Sequence, residues 1–200
     1  MAYGGSVSTT REWWGDAESK PAPEPLARVQ ALINTLESER GRDRLASPDE
    51  GARWLIDHSL ADPAGTVTDD DLRAARQMRE ALRALVIQNT DGTAPDAALT
   101  APLHAAAADV ALRVSVDGDG RVAVGPVGDT VRDRLAGLLL VVQDAQRDGT
   151  WTHLKACAND ECRWAFYDRS RNHGGTWCDM SSCGNKLKNR DFRARKRAER

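Results

Sequence analysis

The sequence predicts a mainly α-helical protein with one β-hairpin and a small cysteine-held module at its C-terminal end, on three observations. Apolar residues recur at helical spacing through most of the first 150 residues. The period changes to strict alternation once, between Leu112 and Val124. All four cysteines fall within the 27 positions from Cys157 to Cys183, and the preceding 156 residues contain none.

Met1 to Pro25 is polar and rich in Gly, Ser and Pro, so residues 1–25 are expected to form a flexible arm, with the pair Trp13 and Trp14 docking it onto an apolar patch. Leu26, Val29, Leu32, Ile33 and Leu36 define a first helix that stops at the charged turn around Gly41. A second starts at the cap-like Ser47, with Pro48 in its first turn and Asp49 and Glu50 beside the positive end of the helix dipole. It is expected to bury Trp54 and Leu55 and to end near Asp62-Pro63. Thr68 and three aspartates cap a longer amphipathic helix that carries Leu72, Ala75, Met78, Leu82, Leu85 and Val86 and runs to about Asn89.

Beyond the Asp91-Gly92 turn, the alanine-rich stretch Pro95 to Ala108 reads as a helix with Leu99 and Leu103 facing inward. Leu112, Val114 and Val116, a turn from Asp117 to Gly120, then Val122 and Val124 spell a β-hairpin. The last body helix runs from Asp129 to Gln146, and Gly149 closes it. The chain thus divides into the arm, a helical domain at 26–149 and a terminal module at 150–200.

Composition narrows the function classes. No run approaches the roughly 18 apolar residues of a membrane span, and the first twenty residues lack a signal peptide's order, so a cytoplasmic location without membrane contact is expected. Residues 151–200 hold 12 Lys or Arg against 6 Asp or Glu, a net of +6, which leaves −8 for the rest of the chain at its total of −2. A polyanion partner is expected at the C-terminal end only. Glycine loops that cradle phosphate, nucleophile elbows and His-Glu zinc motifs are missing, so no enzyme is expected.

The cysteines are spaced Cys157-x4-Cys162 and Cys178-x4-Cys183, with fifteen residues between the pairs. Two short-spaced pairs let two turns each supply adjacent corners of a thiolate tetrahedron, which is what zinc prefers. Two disulfides would use the same residues, but nothing suggests export. One structural Zn²⁺ is therefore expected, with Trp151, Leu154, Trp164, Phe166, Trp177 and Phe192 as a small core around it. His153 and His173 read as surface residues, and Asp168 to Asn172 as a polar turn, a phosphate-facing loop or support for the thiolates.

After Cys183, Gly184 and Asn185 make a turn into a final helix on which Lys186, Arg190, Arg193 and Arg197 share a face that Lys188, Arg195 and Lys196 widen. From Lys186 to Arg200 eight basic side chains oppose two acidic ones. A zinc site that fixes the start of such a helix presents its charge rigidly, as recognition of double-stranded DNA in a groove requires. Arg169, Arg171 and Asn185 join these residues as candidate DNA contacts.

The run Leu154-Lys-x-Cys157-x4-Cys162-x-Trp164-x-Phe166-x-Asp168-x-Ser170-Arg171-Asn172, then Trp177-Cys178-x-Met180-x2-Cys183-Gly184-Asn185, resembles the CGNR zinc finger. Lys186 stands where that family usually has arginine, which keeps the charge and loses the bidentate fork. Gly174-Gly175-Thr176 replaces a commonly more basic loop. Leu32-Ile33-Asn34-Thr35 with Arg40, Leu45 and Trp54-Leu55 resembles the companion ABATE domain, a putative stress-induced transcription regulator. The resemblance spans about residues 26–197 and implies a helical domain that senses a small molecule, followed by a finger that binds DNA.

The expected function is thus a DNA-binding transcriptional regulator, a homodimer if it reads a palindromic site. Asn34, Thr35 and Arg40 are candidate effector contacts, although Asn34 and Thr35 read more simply as packing residues bonded to a nearby loop such as the Gly41 turn. The alternatives are a zinc-stapled adaptor for RNA or an acidic protein, and a thiol redox sensor.

Overall fold

A computed structural model describes Trp13, Asp16 and residues 18–108 and 110–198, with side chains in the last helix described at 185–190 and Lys196. Trp14, and the side chains of Phe192, Arg193, Arg195 and Arg197, lie outside the described residues. In order along the chain come α1 (Leu26–Ile33), β1 (Leu36–Glu37), β2 (Arg42–Asp43), α2 (Pro48–Asp57), α3 (Asp69–Asp91), α4 (Ala97–Ala108), β3 (Leu112–Val116), β4 (Val122–Pro126), α5 (Val131–Asp148), β5 (Leu154–Ala156), β6 (Ala165–Tyr167) and α6 (Asn185–Ala198). The strands form three separate antiparallel pairs, β1-β2, β3-β4 and β5-β6, so the fold is mainly α. Among the described residues no helix is long and apolar enough to cross a membrane.

The two long helices begin at the same device. Thr68 and Thr130 each accept a hydrogen bond from the backbone N–H three residues on, while Asp71 and Asp133 reach back to the cap's own N–H. Each box satisfies two N–H groups that a helix start otherwise leaves open. Gly92 and Gly149 end these helices at φ 77° and 83°, left-handed conformations that glycine adopts without steric cost.

The central element is α3, which packs against α1, α2, α4, α5 and β5. Its apolar face meets Leu32 and Ile33 of α1, Leu55 of α2, and Leu135 and Leu138 of α5 in one core. Two of its buried side chains are arginines. Arg79 holds Asp43 of β2 through both terminal nitrogens, at 2.6 and 3.0 Å. Arg83 donates to the carbonyls of Ile33, at 2.7 Å, and Arg163, at 2.8 Å, and pairs with Glu80. Desolvation lowers the pKa of Arg83, opposed by Glu80.

Four expectations need correction. The first helix ends at Ile33, and Leu36 lies in a strand, because Arg42 and Asp43 return to pair with Glu37 and Leu36. The second helix ends at Asp57, where His58 bonds back to Trp54 and stacks on its ring at 3.9 Å. Leu99 points outward at 55 % exposure, since α4 meets the body through Leu103 and Ala106. Residues 18–25 are no loose arm: Ala22 is buried, its N–H donating to Gln30 at 2.6 Å.

The anticipated hairpin forms as β3-β4, and its register sets Val114 opposite Val124 and Val116 opposite Val122. Its valines nevertheless stay exposed.

Thr68→Ala is expected to cost about 1 kcal/mol in urea unfolding through the lost cap. Leu99→Ser should stay within about 0.5 kcal/mol of the parent, as an exposed position does.

Candidate metal centre and basic helix

Four sulfurs come together at the end of the molecule. Cys157 follows β5, Cys162 closes the turn before β6, Cys178 ends the loop after β6, and Cys183 lies in the π-type turn Met180–Gly184 that leads into α6. All four are buried, and their sulfurs lie within 4.8 Å of one another. Zn–S bonds of about 2.3 Å at tetrahedral angles give S···S edges of roughly 3.8 Å. The distances Cys162–Cys178, 3.7 Å, and Cys178–Cys183, 3.8 Å, match that edge. The cluster therefore fits one structural zinc ion, four protein sulfurs leaving no open position.

Hydrogen bonds from Cys162 and Cys178 push the Cys157 thiol down, while bonding to Cys157 pushes the thiols of Cys162 and Cys178 up. One thiolate is favoured and further ones repel it, a cost that a bound dication removes.

Local backbone explains the placement. The N–H of Cys157 donates to Trp164 at 2.8 Å, and those of Cys162 and Arg163 both donate to Asn159, closing a turn with Arg163 at φ 51°. The Asn159 side chain is buried and lies 3.6 Å from the Cys183 sulfur, a contact that orients a ligand. In the long loop, buried Asp168 accepts from Lys155 at 3.1 Å, Ser170 N–H at 3.0 Å and Gly175 N–H at 2.7 Å. Burial raises the Asp168 pKa, but these bonds outweigh it and hold the carboxyl below the usual range. A side chain at Gly175 would meet that carboxyl at 2.9 Å, which accounts for the glycine.

Both outer edges of the β5-β6 hairpin are sealed by the helical body. On β6, the Asn34 carboxamide accepts from Ala165 N–H at 2.8 Å and donates to Ala165 O at 2.9 Å, and Tyr167 N–H donates to Lys20 O at 2.9 Å. On β5, Thr90 exchanges bonds with Ala156 N–H and O at 3.0 and 2.8 Å, and Asn89 donates to Leu154 O at 2.9 Å. Glu18 completes the seam, accepting from Asn34 at 3.0 Å and from the Trp164 indole at 2.9 Å. Desolvation raises its pKa against those hydrogen bonds.

Two of the residues expected around the metal, Trp151 and Leu154, belong instead to the body core, as does Tyr167. Trp164 and Phe166, with partly buried Trp177, surround the sulfurs. His153 and His173 stack at 3.8 Å beside the Lys155–Asp168 pair.

The candidate effector residues separate. Thr35 is buried, donating to Leu32 O and accepting from Arg79. Arg40 pairs with Glu37. Asn34 bonds β6 rather than the Gly41 turn and also lines a cavity of about 260 Å³ with Trp13, Glu18, Gln30, Arg44 and Trp54.

On α6, Leu187 is buried while Lys188, Arg190 and Lys196 are exposed. Lys186 is ion-paired to Glu39 and Glu161, both at 2.9 Å, which raise its pKa. Asn185 donates to Ser181 O at 3.3 Å. In the loop, Arg171 is exposed and Arg169 donates to Pro21 O at 2.9 Å.

The roles of Asn159, Asn89, Thr90 and Gln30 escaped the sequence reading. Only Asn159 carried a signal, its place between paired cysteines.

Two family models match the chain: ABATE, described as a putative stress-induced transcription regulator, over residues 26–158, and the CGNR zinc finger over residues 153–196. They overlap on 153–158, the segment containing β5. No curated protein matches the chain.

Metal analysis of the purified chain should find one zinc per molecule, lost in Cys183→Ser. Asn34→Ala leaves Ala165 N–H without its acceptor and should cost about 1–3 kcal/mol in chemical denaturation. It should also speed zinc loss to a chelator.

Proposed function

We propose, for a chain that belongs to the ABATE family and ends in a CGNR zinc finger, that it is a DNA-binding transcriptional regulator whose finger lays α6 against duplex DNA. The observation that carries this reading is the anchoring of α6. Its first residue follows the turn that holds Cys183, and Leu187 is buried one turn on, so metal and packing together fix where the helix points. Exposed Lys188, Arg190 and Lys196 then offer cationic contacts to phosphates, and Arg171 adds one from the loop. Arg193, Arg195 and Arg197 extend the same helix in sequence.

Lys186 serves differently in this reading. Its two ion pairs spend its charge on Glu39 and Glu161, so it sets the angle of α6 on the body and contributes less to the nucleic acid. Arg169 similarly holds the strap formed by residues 18–25, through Pro21 O. The acidic remainder of the chain, at −8, keeps DNA off the body.

The cavity beside Asn34 supports a sensing role for the helical domain. Glu18, Gln30 and Asn34 wall it and also bond the zinc-finger hairpin or the strap beside it, so an occupant changes the groups that hold Ala165. The reading is of a binding protein, with no catalytic step.

Fluorescence anisotropy with duplex DNA over a range of salt tests the assignment. Lys188→Ala and Arg190→Ala should each weaken binding and together reduce the slope of log K against log salt by about 2. Unchanged affinity in the double variant, or equal preference for RNA, would sink it.

A further inference from the structure

The hairpin β3-β4 carries an inconsistency between its sequence and its surroundings. Alternation of apolar and polar residues is the pattern of a strand with one covered face. Here Val114, Val116 and Val122 are 66 %, 64 % and 67 % exposed. A two-stranded hairpin is marginal in water without such cover.

Among the described residues its geometry leaves one edge available. β4 packs on α5, and β3 lies outside it, exposed along its whole length. Asp117 N–H donates to Arg121 O and Val127 N–H to Ala111 O, so odd-numbered residues of β3 direct their backbone groups toward β4. By the alternation of an antiparallel ladder, the N–H and C=O of Leu112, Val114 and Val116 face the other way.

The sequence along that edge complements itself. Arg113-Val114-Ser115-Val116-Asp117, laid antiparallel on a second copy about Ser115, sets Val114 opposite Val116 and Arg113 opposite Asp117 at both ends. Both Val114–Val116 pairs then fall at hydrogen-bonded positions, where their free backbone groups meet. Both Arg–Asp pairs fall at the non-hydrogen-bonded positions, where side chains approach most closely. Beside the edge, Leu112 borders an apolar groove lined also by Ala107, Val110, Leu139 and Leu140, which continues the apolar surface past the end of the strand.

We propose that the chain forms a two-fold dimer in which β3 pairs with β3 of a second copy in the register centred on Ser115, joining two hairpins into one four-stranded sheet. A self-complementary strand is what an isologous contact requires, since each residue's partner in one copy must also serve in the other. The pairing does not depend on what α6 binds.

Sedimentation of the full zinc-loaded chain should give twice its 21.8 kDa. Val114→Pro removes an outward N–H and leaves the β4 ladder intact. Arg113→Asp sets like charges opposite each other. Either change should raise the dissociation constant roughly tenfold or more.

Ser115→Cys should form an intermolecular disulfide under mild oxidant, while Ala123→Cys on β4, and the parent chain with its buried cysteines, should not. A chain that stays monomeric at about 50 µM, a dimer unaffected by both edge variants, or crosslinking through Ala123→Cys as readily as through Ser115→Cys would overturn the proposal.

Discussion

Both outer edges of a two-stranded hairpin, β5-β6, are closed by side chains of α3 and of Asn34 at the end of α1, more than sixty residues away in sequence, and the C-terminal quarter of the molecule depends on that closure. Asn34 acts as a short substitute strand, giving Ala165 one donor and one acceptor. Thr90 does the same for Ala156 on the opposite edge. Buried backbone groups cost free energy when unpaired, and strands of three residues persist here with the edge groups of Ala156 and Ala165, the carbonyl of Leu154 and the N–H of Tyr167 all partnered. The sulfur cluster is then built at the open end of a hairpin already held in place.

This arrangement changes what the metal has to do. A free-standing finger of some fifty residues would draw much of its folding free energy from the ion. In this chain Trp151, Leu154, Ala156, Ala165 and Tyr167 belong to the same core as α1, α3 and α5. Zinc therefore organises what lies beyond the hairpin: the Asn159 turn, the approach of the Met180–Gly184 turn, and through it the direction of α6. The overlap of the two family matches on 153–158 reflects a strand that serves both parts.

Much of this was legible in the residues. The Thr68 cap, the apolar period of α3, the alternation of β3 and β4 and the cysteine spacing are local signals, each written within a few positions, whereas the Thr130 cap was passed over by starting the last body helix at Asp129. The end of the first helix was misplaced because Leu36 fits the helical period and only its pairing with Asp43 removes it. Leu99 was misplaced because an alanine-rich helix offers no contrast between faces. The bonds of Asn34, Asn89 and Thr90 left no periodic trace, since a polar side chain that meets a distant backbone looks like any surface residue in one dimension. Asn34 was singled out, yet its partner lies 131 positions away.

The shared strand has a practical bearing on how the finger travels between proteins. Cut at Gly149 and grafted onto an unrelated scaffold, the terminal segment would carry two unsealed sheet margins and an orphaned Trp151. A recipient that lacked counterparts of Asn34, Asn89 and Thr90 would inherit a sticky fragment in place of a portable cassette.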